Sequence, residues 1–155
     1  MFNISYKLLV AATLLVLTKS MEQQCGDTVC CEKDWLGYNG HCYRYFTYRK
    51  TWSLARQFCL DLDADLVSIH SATENAILNA LISGDEAWIG FTDSETEGQF
   101  VWSDGTASDF TAWDQGQPND NQGTEDCAEL NHVSLPDKSW NDHNCDLQHS
   151  FICKQ

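Results

Sequence analysis

The stretch Gln117-Pro118-Asn119-Asp120-Asn121-Gln122-Gly123-Thr124-Glu125-Asp126-Cys127 crowds amide and carboxylate oxygens into one connection. A second oxygen pair, Asn141-Asp142, follows directly after Trp140. Such side chains are hard donors, the kind that calcium takes in sixes to eights. Two sets can be drawn from them. One is Gln117, Asn119, Glu125, Asn141 and Asp142; the other is Asp93, Glu97, Asp120 and Asp126. The sets interleave, with Asn119 beside Asp120 and Glu125 beside Asp126. Neighbours on an extended chain point to opposite sides, so one loop is able to feed two metal sites. The polar stretch from Ser103 to Thr124 is too long for an idle connection. Trp113 and Pro118 inside it argue against disorder, so something must hold it.

Working outward from this loop, the N-terminal half reads as helical and the remainder as short strands. His41 to Phe46 alternates aromatic and polar residues and predicts a strand. Thr51 to Leu62 places Trp52, Ala55, Phe58, Cys59 and Leu62 on one helical face. Asp65 to Ile69 is a short apolar segment. Ser71 and Glu74 form a capping box, each able to satisfy a free amide at a helix start. The helix it opens carries Ala76, Ile77, Leu78, Leu81 and Ile82, and Gly84 stops it. Ala87–Phe91, Phe100–Trp102, Cys127–Leu130 and Phe151–Cys153 are strand-like. Two helices followed by short strands indicate an α+β domain.

The whole chain sets the compartment. Lys7 precedes the apolar run Leu8–Leu17, which is half the length a spanning helix needs. Small residues follow, so residues 1–20 read as a cleaved signal peptide. Residues 21–30 read as a short arm, and residues 31–155 as one domain without linker or repeat. No second apolar run exists, so the mature protein is expected to be secreted and extracellular, without membrane insertion. The chain holds 9 basic and 23 acidic residues; removing Lys7 and Lys19 leaves 7 against 23, or −16. Such a charge repels nucleic acid and anionic lipid. It also calls for a counter-charge, which calcium supplies in extracellular fluid. The eight cysteines all lie beyond residue 20. An even count in a secreted chain favours disulfides over zinc, for which no Cys-x-x-Cys pair is present.

At this point the sequence resembles a C-type lectin domain of the long form, from Cys31 to the C-terminus. The resemblance rests on Trp35, the aromatic strand around Cys42, Trp88-Ile89-Gly90 and Thr96-Glu97-Gly98-Gln99-Phe100. It extends through Gln117-Pro118-Asn119, Glu125-Asp126-Cys127 and Trp140-Asn141-Asp142. It implies the bridges Cys31–Cys42, Cys59–Cys153 and Cys127–Cys145, leaving Cys25 and Cys30 over. Those two either pair with each other or link chains into a homo-oligomer, and Cys30 and Cys31 can exchange roles. The resemblance also implies a principal calcium at Gln117, Asn119, Glu125, Asn141 and Asp142, its shell completed by vicinal sugar hydroxyls that the same side chains hydrogen-bond. Asp93, Glu97, Asp120 and Asp126 match the family's accessory calcium site. Pro118 matches its cis proline, which would turn Gln117 and Asn119 toward one ion.

The triplet departs from both family patterns, Glu-Pro-Asn in mannose-type members and Gln-Pro-Asp in galactose-type members. Gln117-Pro118-Asn119 has amides at both ends, each able to donate or accept, so one carboxylate is lost and calcium should bind more weakly. Gln117 favours galactose or N-acetylgalactosamine over mannose, with loose selectivity. The expected function is glycan binding in defence or agglutination. The competing reading is a non-sugar role of the same fold, as an ice-binding, mineral-matrix or venom protein-binding component. Paired carboxylates such as Glu125 and Asp126 can imitate a glycosidase's acid and base. They are matched here to metal roles, however, and no catalytic arrangement is legible, so no enzyme is expected. Trp88 and Trp102 read as core, and Trp140 as a brace of the metal loop. His143 lies within reach of a ligand, while His70, His132 and His149 receive no role.

Overall fold

The computed structural model describes residues 30–82, 84–135 and 138–155. The expected leader and most of the arm, Cys25 included, lie outside the described residues. The chain runs β1 (Leu36–Tyr38), β2 (His41–Lys50), α1 (Trp52–Leu60), β3 (Asp65–Leu66) and α2 (Ala72–Ile82). It continues as β4 (Glu86–Thr92), β5 (Val101–Trp102), a 3-10 turn (Asn121–Gly123), β6 (Cys127–Leu135), β7 (Lys138–His143) and β8 (His149–Lys154). One sheet has the order β1-β2-β8-β4-β6-β7, with β3 paired to β8 and β5 to β4. Among the described strand pairings only β4–β8 is parallel. The fold is α+β, as the sequence indicates.

Both helices form where their caps place them. The Thr51 side chain accepts from Leu54 N and opens α1, which buries Ala55 and Cys59. The helix stops at Leu60, so Leu62, expected on its apolar face, lies past the end and is exposed. At α2, Ser71 Oγ accepts from Glu74 N at 3.2 Å. The return bond goes to His70 N at 2.8 Å, one residue before the expected amide. The reason is tertiary: Glu74 is buried and its other oxygen accepts from Tyr43 Oη (2.6 Å) and Lys154 Nζ (3.0 Å). The core-facing side of α2 also differs from the apolar reading. Leu78 and Ile82 are buried along with Asn75 and Asn79, whereas Ala76 is exposed.

Two clusters make up the core. One, around Ile69, Leu78, Ile89, Phe91, Trp102, Leu130 and Trp140, lies under α2 and the long loop. The other, around Phe46, Ala55, Trp88 and Phe151, lies under α1. Trp88 and Trp102 are both buried, as their size suggests. Gly90 permits a close crossing: a Cβ there would stand 2.7 Å from both Leu66 O and Ser103 Oγ.

The bridges Cys31–Cys42, Cys59–Cys153 and Cys127–Cys145 are all present. Cys59–Cys153 joins α1 to β8 across 94 positions, worth about 4–5 kcal/mol by loop entropy. Cys30 is also disulfide-bonded. Among the described residues no helix is long and apolar enough to cross a membrane.

Candidate metal centre

Trp140 on β7 holds the long loop by its backbone. Its N–H donates to Ala112 O (3.0 Å) and its carbonyl accepts from Asp114 N (2.9 Å). Its ring is fully buried against Phe91, Trp102, Phe110 and Trp113. The loop then turns through a cis Gln117–Pro118 bond. Beyond it Asp142, fully buried, accepts from Asn119 N at 3.0 and 2.9 Å and from Asp120 N at 2.7 Å. One carboxylate on a rigid strand thereby fixes the backbone on both sides of the Asn119–Asp120 peptide.

The expected extended segment is instead a tight turn. Asp120 and Gln122 adopt left-handed backbone, with φ of 40° and 64°. Asp120 Oδ1 accepts from Glu125 N (3.2 Å), and Glu125 Oε2 accepts from Asn121 N (3.0 Å). Asp120 tolerates such backbone better than a bulky residue would, because its short polar side chain bonds locally. A folded turn, not strand alternation, therefore sets which way these neighbouring oxygen side chains face.

Within the first expected set, the structure ties Asn119 to Asp142, the residue that follows Asn141 on β7. Asn141 Nδ2 donates to Glu129 Oε1 at 3.1 Å on the neighbouring strand, which orients its amide. Glu125 Oε1 lies 3.4 Å from His143 Nδ1, and that nitrogen also accepts from Asn144 N at 3.0 Å. Gln117 is placed by the cis bond and by its N–H to Asp114 O at 3.0 Å, and no described hydrogen bond links its side chain to the others. Its Oε1 is buried without a hydrogen bond. A buried amide oxygen left so demands a partner. A hard cation fits it, and the surrounding donors are all oxygens of the required kind.

In the second set, Glu97, Asp120 and Asp126 each bring a carboxylate oxygen within 4.8 Å of the others. Asp93 is buried beside them. Its Oδ2 accepts from Gly98 N (2.8 Å), while Oδ1 makes no hydrogen bond. Burial, then repulsion from Asp126 and Asp120, pushes the Asp93 carboxyl above its ordinary range. Glu97 is likewise raised, by desolvation and then by Asp93, Asp120 and Asp126. Mutual repulsion of this kind is what a bound cation relieves.

One histidine left without a role in the sequence reading has unexpected company. His149 is buried on β8 with its Nδ1 facing Glu86 and Glu129. Nothing local marks it, since its neighbours Gln148 and Ser150 are as polar as a loop. His70 lies away from the loop turn, bonded to Asp109 (2.8 Å) and facing Thr106.

The fold and this loop together define a disulfide-braced α+β domain whose oxygen-rich side chains come from one tight turn, from β7 and from the β4–β5 connection. The chain belongs to the C-type lectin domain family: the family model "Lectin C-type domain" matches residues 48–155. The chain is 36% identical over 154 residues to a "C-type lectin mannose-binding isoform" of Notechis scutatus scutatus, covering 95% of this chain and 96% of that one. It is 39% identical over 130 residues to an "Alpha-N-acetylgalactosamine-specific lectin" of Patiria pectinifera, covering 77% of each. Among solved structures it superposes on the C-type lectin CEL-I of Cucumaria echinata with a TM-score of 0.76 at 33% identity, covering 81% of this chain and 97% of that one. A herring type II antifreeze protein gives a TM-score of 0.74 at 33% identity, covering 81% and 98%.

Proposed function

We propose that this chain is a secreted, calcium-dependent lectin that binds galactose- or N-acetylgalactosamine-type glycans with loose selectivity, and that it is not an enzyme. The observation that carries this reading is the buried, unbonded Gln117 Oε1 beside a cis proline, at a turn held by Asp142. Gln117, Asn119, Glu125, Asn141 and Asp142 would hold the principal ion, and Asp93, Glu97, Asp120 and Asp126 the accessory one. Bound calcium would supply the charge that fixes a pair of vicinal sugar hydroxyls. The protein's own part is to direct hydrogen bonds at those hydroxyls. Asn119 and Asn141 offer amide donors, Glu125 an acceptor, and His143 a ring at the edge of the site.

Relatives named for mannose and for N-acetylgalactosamine binding both resemble this chain, and the amide-amide triplet stands between the two patterns. Gln117 tips the balance to galactose. The likeness to an antifreeze protein supports a second reading, an ice-facing or other non-sugar surface on the same frame. A glycan array with calcium and with chelator decides between them. Galactose-type binding abolished by chelator is expected. Absence of any calcium-dependent glycan signal would refute the lectin reading.

A further inference from the structure

Three adjacent central strands, β8, β4 and β6, each bring one metal-binding side chain to a common face. Trp88 of β4 pairs with Glu129 of β6, which places Glu86, two residues before Trp88, on the same side. The parallel register of Ala87 with Ser150 sets His149 next to Glu86. His149 Nδ1 lies 3.2 Å from Glu86 Oε2 and 3.3 Å from Glu129 Oε2. All three ligand atoms fall within 4.8 Å of one another.

We propose that Glu86, Glu129 and His149 form a binding site for a transition-metal dication such as zinc, separate from the calcium loop. Four observations carry it. His149 is more than nine-tenths buried, yet its Nδ1 makes no hydrogen bond although two carboxylates face it. The two separations from His149, 3.2 and 3.3 Å, match a tetrahedral zinc shell, in which bonds of about 2.0–2.1 Å put neighbouring ligand atoms about 3.3 Å apart. The donor set of one imidazole nitrogen and two carboxylate oxygens suits zinc, whereas calcium wants six or more oxygens. Finally, the ligands are braced from outside. Asn141 Nδ2 donates to the other oxygen of Glu129, and the His149 ring packs edge-on against Trp88 at 4.6 Å. Outer partners of this kind orient metal ligands. Glu86 is half-exposed and opens a path for the ion and a water ligand.

The competing arrangement is an imidazolium clamped between two carboxylates. Against it, the Nδ1 of His149 makes no hydrogen bond to either carboxylate, as a clamped imidazolium would. The site does not depend on the lectin reading, although Asn141 belongs to both.

Titration of zinc chloride into the protein in excess calcium tests the proposal, because calcium would compete for the oxygen-rich loop and not for an imidazole-containing site. One zinc per chain is expected by calorimetry, and its X-ray absorption spectrum should report imidazole and carboxylate ligands. Glu86→Gln and His149→Gln should each weaken zinc binding at least tenfold. If His149→Gln fails to fold, Glu86→Gln decides, since its position is half-exposed and near-ultraviolet circular dichroism can verify its fold. No saturable zinc binding by the wild type, or equal binding by Glu86→Gln, would overturn the assignment.

Discussion

Replacing Asp142 by Asn separates what the carboxylate does for the fold from what it does for a metal. In the structure its two oxygens take the N–H groups of Asn119 and Asp120 through contacts of 3.0, 2.9 and 2.7 Å. Hydrogen bonds to a charged group are worth about 1.5–3 kcal/mol each, against about 0.5–1.5 for neutral pairs. Loss of charge at two amides should therefore cost about 2 kcal/mol. The new NH2 faces a backbone donor at a fully buried position, which adds about 1 kcal/mol. The sum, about 3 kcal/mol, corresponds to a fall of roughly 10 °C in melting temperature for a domain of this size. The assay is thermal and urea unfolding followed by tryptophan fluorescence, first with chelator and then with millimolar calcium. In chelator the loss reports the hydrogen bonds alone. With calcium the gap should widen, because a ligand that binds only the folded state stabilises it and the variant binds it less. A loss below about 0.5 kcal/mol in chelator would refute the view that Asp142 staples the turn. An equal gap in both conditions would remove it from the metal shell.

Glu74→Gln should cost about 3 kcal/mol, because it leaves the Lys154 ammonium buried beside Ser68 without its carboxylate partner. Burial alone would raise Glu74, but Tyr43, the His70 amide and Lys154 hold it below the ordinary carboxylate range. Its contribution is thus complete above that range and lost as pH falls through the lowered folded value. The variant should show a flatter acid limb in urea unfolding across those pH values, and an unchanged limb would contradict the pairing. Gly90→Ala should destabilise by about 1–3 kcal/mol, since the added methyl meets the fixed Leu66 carbonyl at 2.7 Å; unfolding at equal stability would refute that close crossing. Asn119→Asp completes the galactose-type triplet and should raise both galactose and calcium affinity, whereas Gln117→Glu should move preference toward mannose. If monosaccharide inhibition keeps the same order in both variants, the triplet does not set specificity. Glycan binding should weaken toward pH 4 because protons compete with metal for the carboxylates, and undiminished binding there would exclude a calcium-held sugar.

Much of the frame was readable in the sequence because its signals are local. Ser71 caps a helix within four positions of itself, an even cysteine count implies bridges, and clustered oxygens point to a cation. The family resemblance carried the three pairings, which the structure shows, and named the two oxygen sets proposed to hold calcium. Other features depended on contacts between distant positions. Lys138–His143 is a strand although its residues look like loop, because it pairs with β6 and sinks Trp140 into the core. The Trp140 indole then needs an acceptor and finds Asn75 Oδ1 at 2.8 Å, so α2 buries an asparagine on the face where periodicity expected only apolar residues. The capping carboxylate of Glu74 is shared with Tyr43 and Lys154, which no local rule contains. His149 has no role legible in the sequence, and the β8–β4–β6 register places Glu86 and Glu129 against it. The sequence by itself thus determined which chemical groups are available and the short elements that carry them. Only the tertiary structure decided which groups share a place, because strand register and burial are set by contacts among residues tens of positions apart, where local periodicity carries no information.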